Sequence, residues 1–201
     1  MKTLLCSFLS LFLLTAQAQA ENRLGIVAGV NLAKFSGDGV EAQSFGDKTG
    51  FIEGLMYQHG LSDALYLETQ VRFLEKGGML GGAKTSLGYV NVPLYAKYKF
   101  NTGSSFRPYV FAGPAVGVKV SAKVGTVEKQ NARNRFGAID LSGDAGVGVD
   151  FAVSESINLS LNGAYNYGFL DVASDAQRAA LGGNALNTQG INVYASASWK
   201  L

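Results

Sequence analysis

The chain has 201 residues and a formal net charge of +2 at pH 7, so it lacks the basic excess that nucleic-acid binding requires. It has one cysteine and one histidine, which excludes a disulfide framework and argues against a zinc site. Glycine is abundant, with 26 residues, about twice the usual ~7%.

The first 20 residues have the form of an export signal. Lys2 supplies a positive start, residues 4–14 form an apolar core, and a small-x-small cleavage pattern ends at Ala20. The apolar core is too short to span a bilayer. Cys6 lies inside this core without a lipobox after it, so we expect cleavage after Ala20 and a cysteine-free domain of residues 21–201.

Eight stretches of the mature chain alternate apolar and polar side chains, which predicts β-strands with one apolar and one polar face. In residues 65–73, LYLETQVRF, Leu67 and Val71 share one face, and Glu68 and Arg72 share the other. In chain order the predicted strands cover residues 24–33, 49–60, 65–73, 89–100, 107–121, 140–151, 158–169 and 191–201. Pro93 and Pro114 lack a backbone donor, so we expect a bulge or a missing bond beside each.

The connections between the predicted strands alternate between long and short. Short turns follow the even-numbered strands and long loops follow the odd-numbered ones, including a glycine-rich loop at residues 75–88. The last long loop has the capping signals of a short helix, with Ser174 and Gln177 at its start and Gly182 at its end. An even number of strands with long loops at one end is typical of outer-membrane barrels.

The apolar faces are predicted to meet lipid. In seven of the eight strands this face carries no Lys, Arg, Asp or Glu, as expected where an Arg or Lys near the bilayer midplane costs ~2–4 kcal/mol. Large aromatic residues on this face lie near strand ends, as in the girdles of membrane barrels: Phe73, Tyr98, Phe100, Phe151, Tyr167, Phe169 and Trp199. We therefore predict an all-β fold, an eight-stranded antiparallel up-and-down transmembrane barrel with short periplasmic turns and long external loops.

The polar faces predict a filled interior, because eight strands enclose a space just wide enough for side chains. We assign seven charged residues to a structural polar network in this lumen: Glu53, Glu68, Arg72, Lys97, Lys99, Asp144 and Asp150. Glu53 shares its face with Phe51 and Leu55, and we assign it inward because a carboxylate in lipid is costly. Pairing of the third and fourth strands places Glu68 diagonally near Lys97. We expect no open pore, and we expect the first and last strands to pair because lipid offers no partner for a free edge.

With its strands placed, the sequence resembles the PorT-like outer-membrane β-barrel family, which shares the OmpA/OmpX-type architecture. The resemblance rests on residues 48–78, YVNVPLYAKYKF (89–100), RPYVFAGPAVGV (107–118) and GDAGVGVDF (143–151). The more specific features are the Asn-x-Pro-Leu strand and the Pro-Tyr-x-x-x-Gly-Pro that follows it.

This resemblance implies a location in the bacterial outer membrane, contact with its lipid, and recognition by the barrel-insertion machinery. The family takes its name from a component of a secretion system, but most of its members have no assigned activity. The resemblance therefore implies fold and location more directly than activity. Such barrels commonly end on an aromatic residue that the insertion machinery reads. This chain departs from that pattern, since Trp199 is followed by Lys200 and Leu201.

His59 is the only histidine and the only candidate general base of that type. A hydrolase barrel would place it with Ser62 or Asp63 as nucleophile and acid. The predicted topology places His59 at the periplasmic rim, whereas the enzyme barrels of this membrane work near the outer rim. We therefore expect a solvated or interfacial histidine and no catalytic site.

Residues 78–85, GMLGGAKT, nearly match the phosphate-binding pattern G-x-x-x-x-G-K-[ST]. Ala83 replaces the second glycine, and no helix follows that would supply a positive N-terminus. We expect an external loop here and no cofactor.

Three classes of function remain after these arguments. The leading one is a non-enzymatic integral outer-membrane barrel, expected to be a monomer, with a structural, surface-interaction or secretion-associated role. The alternatives are a soluble periplasmic ligand-binding barrel of lipocalin type, with the apolar face inside, and an outer-membrane enzyme barrel. External loops on a rigid barrel suit partner binding; the first carries three acidic residues, and the third carries Lys123, Lys129, Arg133 and Arg135.

Overall fold

The computed structural model describes residues 21–37, 45, 48–80, 83–101, 103–125, 127–128, 138–173 and 185–201. The strands in these ranges are β1 (Asn22–Ser36), β2 (Lys48–Gly60), β3 (Leu65–Leu80), β4 (Ala83–Lys99), β5 (Phe106–Val124), β6 (Val127–Glu128), β7 (Ile139–Ala152), β8 (Ile157–Gly168) and β9 (Asn187–Lys200). The predicted export signal and the predicted helix at residues 174–182 lie outside the described residues. No helix in the described part of the chain is long and apolar enough to cross a membrane.

Eight long strands form a closed antiparallel barrel in the order β4-β3-β2-β1-β9-β8-β7-β5, and β4 pairs with β5 to complete the ring. The closing pair β1–β9 runs from Arg23 opposite Lys200 to Ser36 opposite Asn187, which confirms the predicted pairing of the first and last strands. β6 adds only two residues to the outer end of β5. The predicted fold class is therefore confirmed: each long strand pairs on both sides, as a sheet surrounded by lipid requires.

The two faces of the barrel are oriented as predicted, with apolar side chains outside and charged side chains inside. Leu55 and Val147 are 58% and 62% exposed on the outer surface. Glu68, Arg72 and Asp144 are at most 3% exposed and face the lumen. This orientation excludes the soluble lipocalin-type alternative, which requires the apolar face inside.

The prediction of a glycine-rich loop at residues 75–88 is wrong, because residues 75–80 belong to β3 and residues 83–88 belong to β4. The two strands stay paired from Glu75 opposite Gly88 to Leu80 opposite Ala83. Glycine is depleted in strands, which is why the sequence suggested a loop. The period-two pattern nevertheless continues, since Lys76 and Leu87 are buried at inward positions. Residues 78–80 and 83–85 of the phosphate-loop pattern thus pair with each other at the outer ends of β3 and β4.

The two strand prolines interrupt pairing without shifting the register. Cα pairing between β3 and β4 passes from Thr69–Leu94 to Arg72–Asn91, and skips Pro93 and its neighbour Val92. Between β4 and β5 it passes from Pro93–Ala115 to Ala96–Ala112 and skips Pro114. The missing pairs agree with the loss of a backbone donor at proline. The register shift in this region lies elsewhere, between Gly88 and Tyr89 of β4.

Candidate functional site

The centre of the lumen is organised around an ion pair between Arg72 of β3 and Asp144 of β7. Arg72 Nη2 lies 2.8 Å from Asp144 Oδ2, and both side chains are fully buried. Tyr95 and Asn166 also donate hydrogen bonds to the same carboxylate. Three donors therefore replace the water that Asp144 loses on folding, as a buried charge requires.

The other two nitrogens of the Arg72 guanidinium also donate hydrogen bonds. Its Nε donates to Asn91 Oδ1 at 3.1 Å, and its Nη1 donates to Gln70 Oε1 at 3.2 Å. The guanidinium carbon lies 5.9 Å from the ring centroids of both Tyr95 and Tyr194. The planar guanidinium thus lies in a hydrogen-bonded and aromatic setting that a lysine would not match.

A second ion pair lies nearer the periplasmic end, between Glu68 of β3 and Lys97 of β4. Lys97 Nζ lies 2.5 Å from Glu68 Oε2, so the structure brings together the two residues whose proximity the strand pairing predicted. Glu68 also accepts hydrogen bonds from Gln58 at 3.1 Å and from Gln70 at 2.8 Å.

A third ion pair follows, between Lys99 of β4 and Asp150 of β7, at 2.7 Å. Ser160 donates to Asp150 at 2.6 Å, and Lys99 donates to Gln58 Oε1 at 3.1 Å. Because the amide of Gln58 also donates to Glu68, it connects the second and third ion pairs. Six of the seven residues assigned to the lumen from sequence thus lie inside and in ion pairs.

Glu53 is the seventh, and its assignment to the lumen is wrong. It lies exposed on the outer face of β2, between Phe51 and Leu55, and within the described residues it makes no hydrogen bond or ion pair. The cause is the strict alternation of the strand. Turning Glu53 inward would also turn Phe51 and Leu55 inward, and would expose Ile52 and Met56, which are now 2% and 3% exposed.

Sequence reasoning missed a fourth buried ion pair in the outer half of the lumen. Lys76 Nζ lies 2.7 Å from Asp140 Oδ2, and the ammonium lies 5.9 Å from the ring centroid of Tyr89. The predicted loop at residues 75–88 contains Lys76 and therefore gives it no partner in the lumen. The signal was present in the alternation, which continues from Leu74 to Lys76 on the inward face.

Six of the seven predicted girdle residues lie on the outer surface at or next to a strand end, and Phe73 is the exception. Neighbouring rings contact each other in pairs, with centroid separations of 5.1 Å for Tyr98–Phe100 and 5.8 Å for Tyr167–Phe169. Phe151 packs on Phe106, which the sequence assignment omitted, at 5.4 Å. Trp199 is exposed next to the end of β9. Phe73 is half-buried in the middle of β3, because that strand continues to Leu80, so its predicted place at a strand end is wrong. Its ring leans over Gly88 of β4.

The described residues do not assemble a catalytic or metal-binding constellation. His59 Nδ1 lies 2.6 Å from Asn22 Oδ1 at the periplasmic end of the barrel. Ser62, its proposed nucleophile, instead accepts a hydrogen bond from the backbone N–H of Leu65. No group of three or more His, Cys, Asp or Glu residues in the described ranges is placed to hold a metal ion. The charged residues described above in the lumen form ion pairs with one another.

An inside-out barrel with charged pairs in its lumen and an apolar outer face is the structure of an integral membrane barrel. The chain belongs to the outer membrane protein beta-barrel domain family, whose model matches residues 16–174. It is therefore an integral β-barrel protein of the bacterial outer membrane. No curated protein sequence matches the chain.

Solved structures align with the chain over most of its length. The Neisserial surface protein A (NspA) aligns with a TM-score of 0.58 and 19% identity, over 89% of this chain and 97% of that one. OprG from Pseudomonas aeruginosa aligns with a TM-score of 0.48 and 17% identity, over 90% and 96% of the two chains. The E. coli outer membrane protein W aligns with a TM-score of 0.49 and 14% identity, over 90% and 98%.

Proposed function

We propose that this protein is a non-enzymatic, monomeric scaffold whose lumen is closed to ions and whose outer loops contact partners at the cell surface. The observation that supports a closed lumen is the set of four buried ion pairs along its length. In each pair the charges are matched, and the amides of Gln58 and Gln70 connect neighbouring groups. An ion entering this space would have to break a paired and desolvated network.

We further propose that the protein is PorT-like and has a secretion-associated role. The two motifs of the resemblance lie on neighbouring strands of the barrel and supply lumen residues. Asn91 of the Asn-x-Pro-Leu motif accepts the hydrogen bond from Arg72 Nε. Tyr109 of the Pro-Tyr motif donates to Asn162 at 2.6 Å. Because both motif residues hold the interior together, the motifs support a shared barrel architecture and leave partner choice to the external loops.

Maturation is part of the same proposal. Export with cleavage after Ala20 would deliver the chain to the periplasm, and the insertion machinery would then read a terminal strand that has Trp199 near its end. The exposed apolar belt of the finished barrel would be in contact with lipid.

Two measurements test the proposal. Purified barrel reconstituted in planar lipid bilayers should give no stable conductance, and a large steady current would contradict the closed lumen. In a membrane fraction, the protein should migrate faster in gel electrophoresis before boiling than after, as a folded barrel does. Extraction of the protein into buffer without detergent would contradict membrane integration.

A further inference from the structure

The lumen opens at its periplasmic end into a polar cavity of about 460 Å³. This volume lies within the range of small-molecule sites, about 300–1,000 Å³. The walls come from the barrel end and from two of its short turns, and they consist of Glu21, Arg23, Ser62, Asp63, Tyr66, Arg107, Ser154, Glu155 and Lys200. Three of these side chains are basic and three are acidic.

Arg107 differs from the buried basic residues of the lumen. Arg23, Arg72, Lys76, Lys97 and Lys99 each form an ion pair with a carboxylate. Arg107 stands opposite Asp150 in the β5–β7 register, but that carboxylate is already bound by Lys99 and Ser160. The only hydrogen bond that Arg107 makes within the described chain is from Nε to the Ser104 carbonyl, at 2.8 Å.

This arrangement leaves the two terminal nitrogens of Arg107 available to a ligand. The Nε bond holds the half-buried guanidinium in one plane at the cavity wall. A guanidinium held in this way is pre-organised to bind a carboxylate through two parallel hydrogen bonds.

Charges of alternating sign surround the mouth of the cavity. In the order of the strands around the barrel, Asp63 lies in the β2–β3 turn, Arg107 at the start of β5, Glu155 in the β7–β8 turn and Lys200 at the end of β9. None of these four forms an ion pair within the described residues. With strands ~4.8 Å apart, about 7 Å of circumference separates Arg107 from the turn that holds Glu155.

We propose that this cavity binds a small zwitterion, an amino acid or the end of a short peptide that has a free carboxylate and a free ammonium. The carboxylate binds the two terminal nitrogens of Arg107, and the ammonium binds Glu155 or Asp63. The separation of about 7 Å between the strand of Arg107 and the turn of Glu155 is comparable with the length of an extended dipeptide, also about 7 Å. A polyanion fits poorly, because Glu21, Asp63 and Glu155 would repel it.

The test uses the full-length mature barrel in uncharged detergent micelles at low ionic strength, with dialanine as the probe. Calorimetric titration should show saturable binding with a dissociation constant on the order of 1 mM or tighter. Two matched ligands, dialanine amide and N-acetyl-dialanine, each lack one of the charges and should bind at least about tenfold more weakly.

Variants locate the site. Arg107→Gln should lose dialanine binding, and Arg107→Lys, which keeps the charge but lacks the planar fork, should weaken it. Lys34→Gln, at the opposite end of the barrel on the outer face of β1, is the matched control and should bind as the unchanged protein does. Heat-modifiable migration confirms that each variant is folded.

Equal binding of dialanine and its amide would overturn the proposal, as would unchanged binding by Arg107→Gln or the absence of saturable binding to the folded protein. If Arg107→Gln fails to fold, the comparison between the three ligands on the unchanged protein decides the question. Because ion conductance is measured separately, failure here leaves the closed lumen intact.

Discussion

Arg72 of β3 and Asp144 of β7 meet across the lumen at 2.8 Å, although the two residues stand three strands apart around the ring. The pair therefore ties together two walls that share no backbone hydrogen bonds. Lys76 and Asp140 repeat the same connection between β3 and β7 closer to the outer end. These contacts hold the barrel by side chains across its interior, in addition to the backbone ladders around its wall.

Replacement of Arg72 should destabilise the barrel without opening it. Arg72→Ala leaves the Asp144 carboxylate buried without its cationic partner, and loss of one member of a buried pair costs about 3–5 kcal/mol. We expect a lower unfolding temperature and a lower free energy of unfolding in urea, with no stable conductance in planar bilayers. Tyr95, Lys97 and Tyr109 still fill the lumen around this level.

The matched control for Arg72 is Lys84→Ala, which removes an exposed cation from β4. This change should alter the free energy of unfolding by no more than about 0.5 kcal/mol, so the unfolding temperature should stay nearly the same. A large steady current through Arg72→Ala would show that Arg72 closes a pore. An unchanged unfolding temperature would show that the pair contributes little to the fold.

Gln58 should contribute more to the free energy of unfolding than a neutral amide normally does, because it joins two ion pairs. Its amide nitrogen donates to Glu68, and its oxygen accepts from Lys99. In Gln58→Leu both charged partners lose a hydrogen bond inside the barrel, which costs about 1–3 kcal/mol. Urea unfolding measures the loss, and Thr49→Val on the exposed outer face of the same strand is the control. Equal stability of the two variants would contradict a bridging role.

Glu53 should lower the free energy of unfolding of the barrel, because of its position on the outer face of β2. Its carboxylate lies on the lipid-facing surface beside Phe51 and Leu55, without a hydrogen bond or ion pair to the described residues. Glu53→Leu should therefore raise the free energy of unfolding by about 1 kcal/mol in lipid vesicles, since acidic groups cost less than Arg or Lys on this face. Glu53→Gln is the control that keeps the shape and should recover part of the gain. A loss of stability in Glu53→Leu would show that the carboxylate has a partner in the membrane.

The main features of the fold were predictable because a strand has a period of two and a barrel has only two faces. The orientation of Leu67, Glu68 and Arg72 follows directly from that rule. The pair Lys76–Asp140 was not predictable in this way. Glycines in the outer part of β3 are typical of a loop, and the partner of Lys76 lies on a strand that is distant in sequence. The prediction for Glu53 was wrong for a different reason. It considered the cost of one carboxylate in lipid, whereas the apolar residues on the same face of the strand determine which way that face turns.

Trp199 offers a direct test of where the barrel meets the membrane, because it is the only tryptophan of the chain. It lies exposed on the outer face, next to the last residue of β9 and opposite Leu24 near the start of β1. Tryptophan at the end of a membrane strand belongs at the level of the lipid headgroups. Its fluorescence in vesicles should therefore be quenched more by lipids brominated close to the headgroup than by lipids brominated near the chain end. The double variant Trp199→Phe, Leu67→Trp provides the comparison, because it moves the reporter to the lipid face of β3. Leu67 lies in the apolar band, two residues after the start of that strand. Quenching of Trp199 that is strongest at the bilayer centre, or absent altogether, would contradict the placement of this aromatic ring at the periplasmic membrane surface.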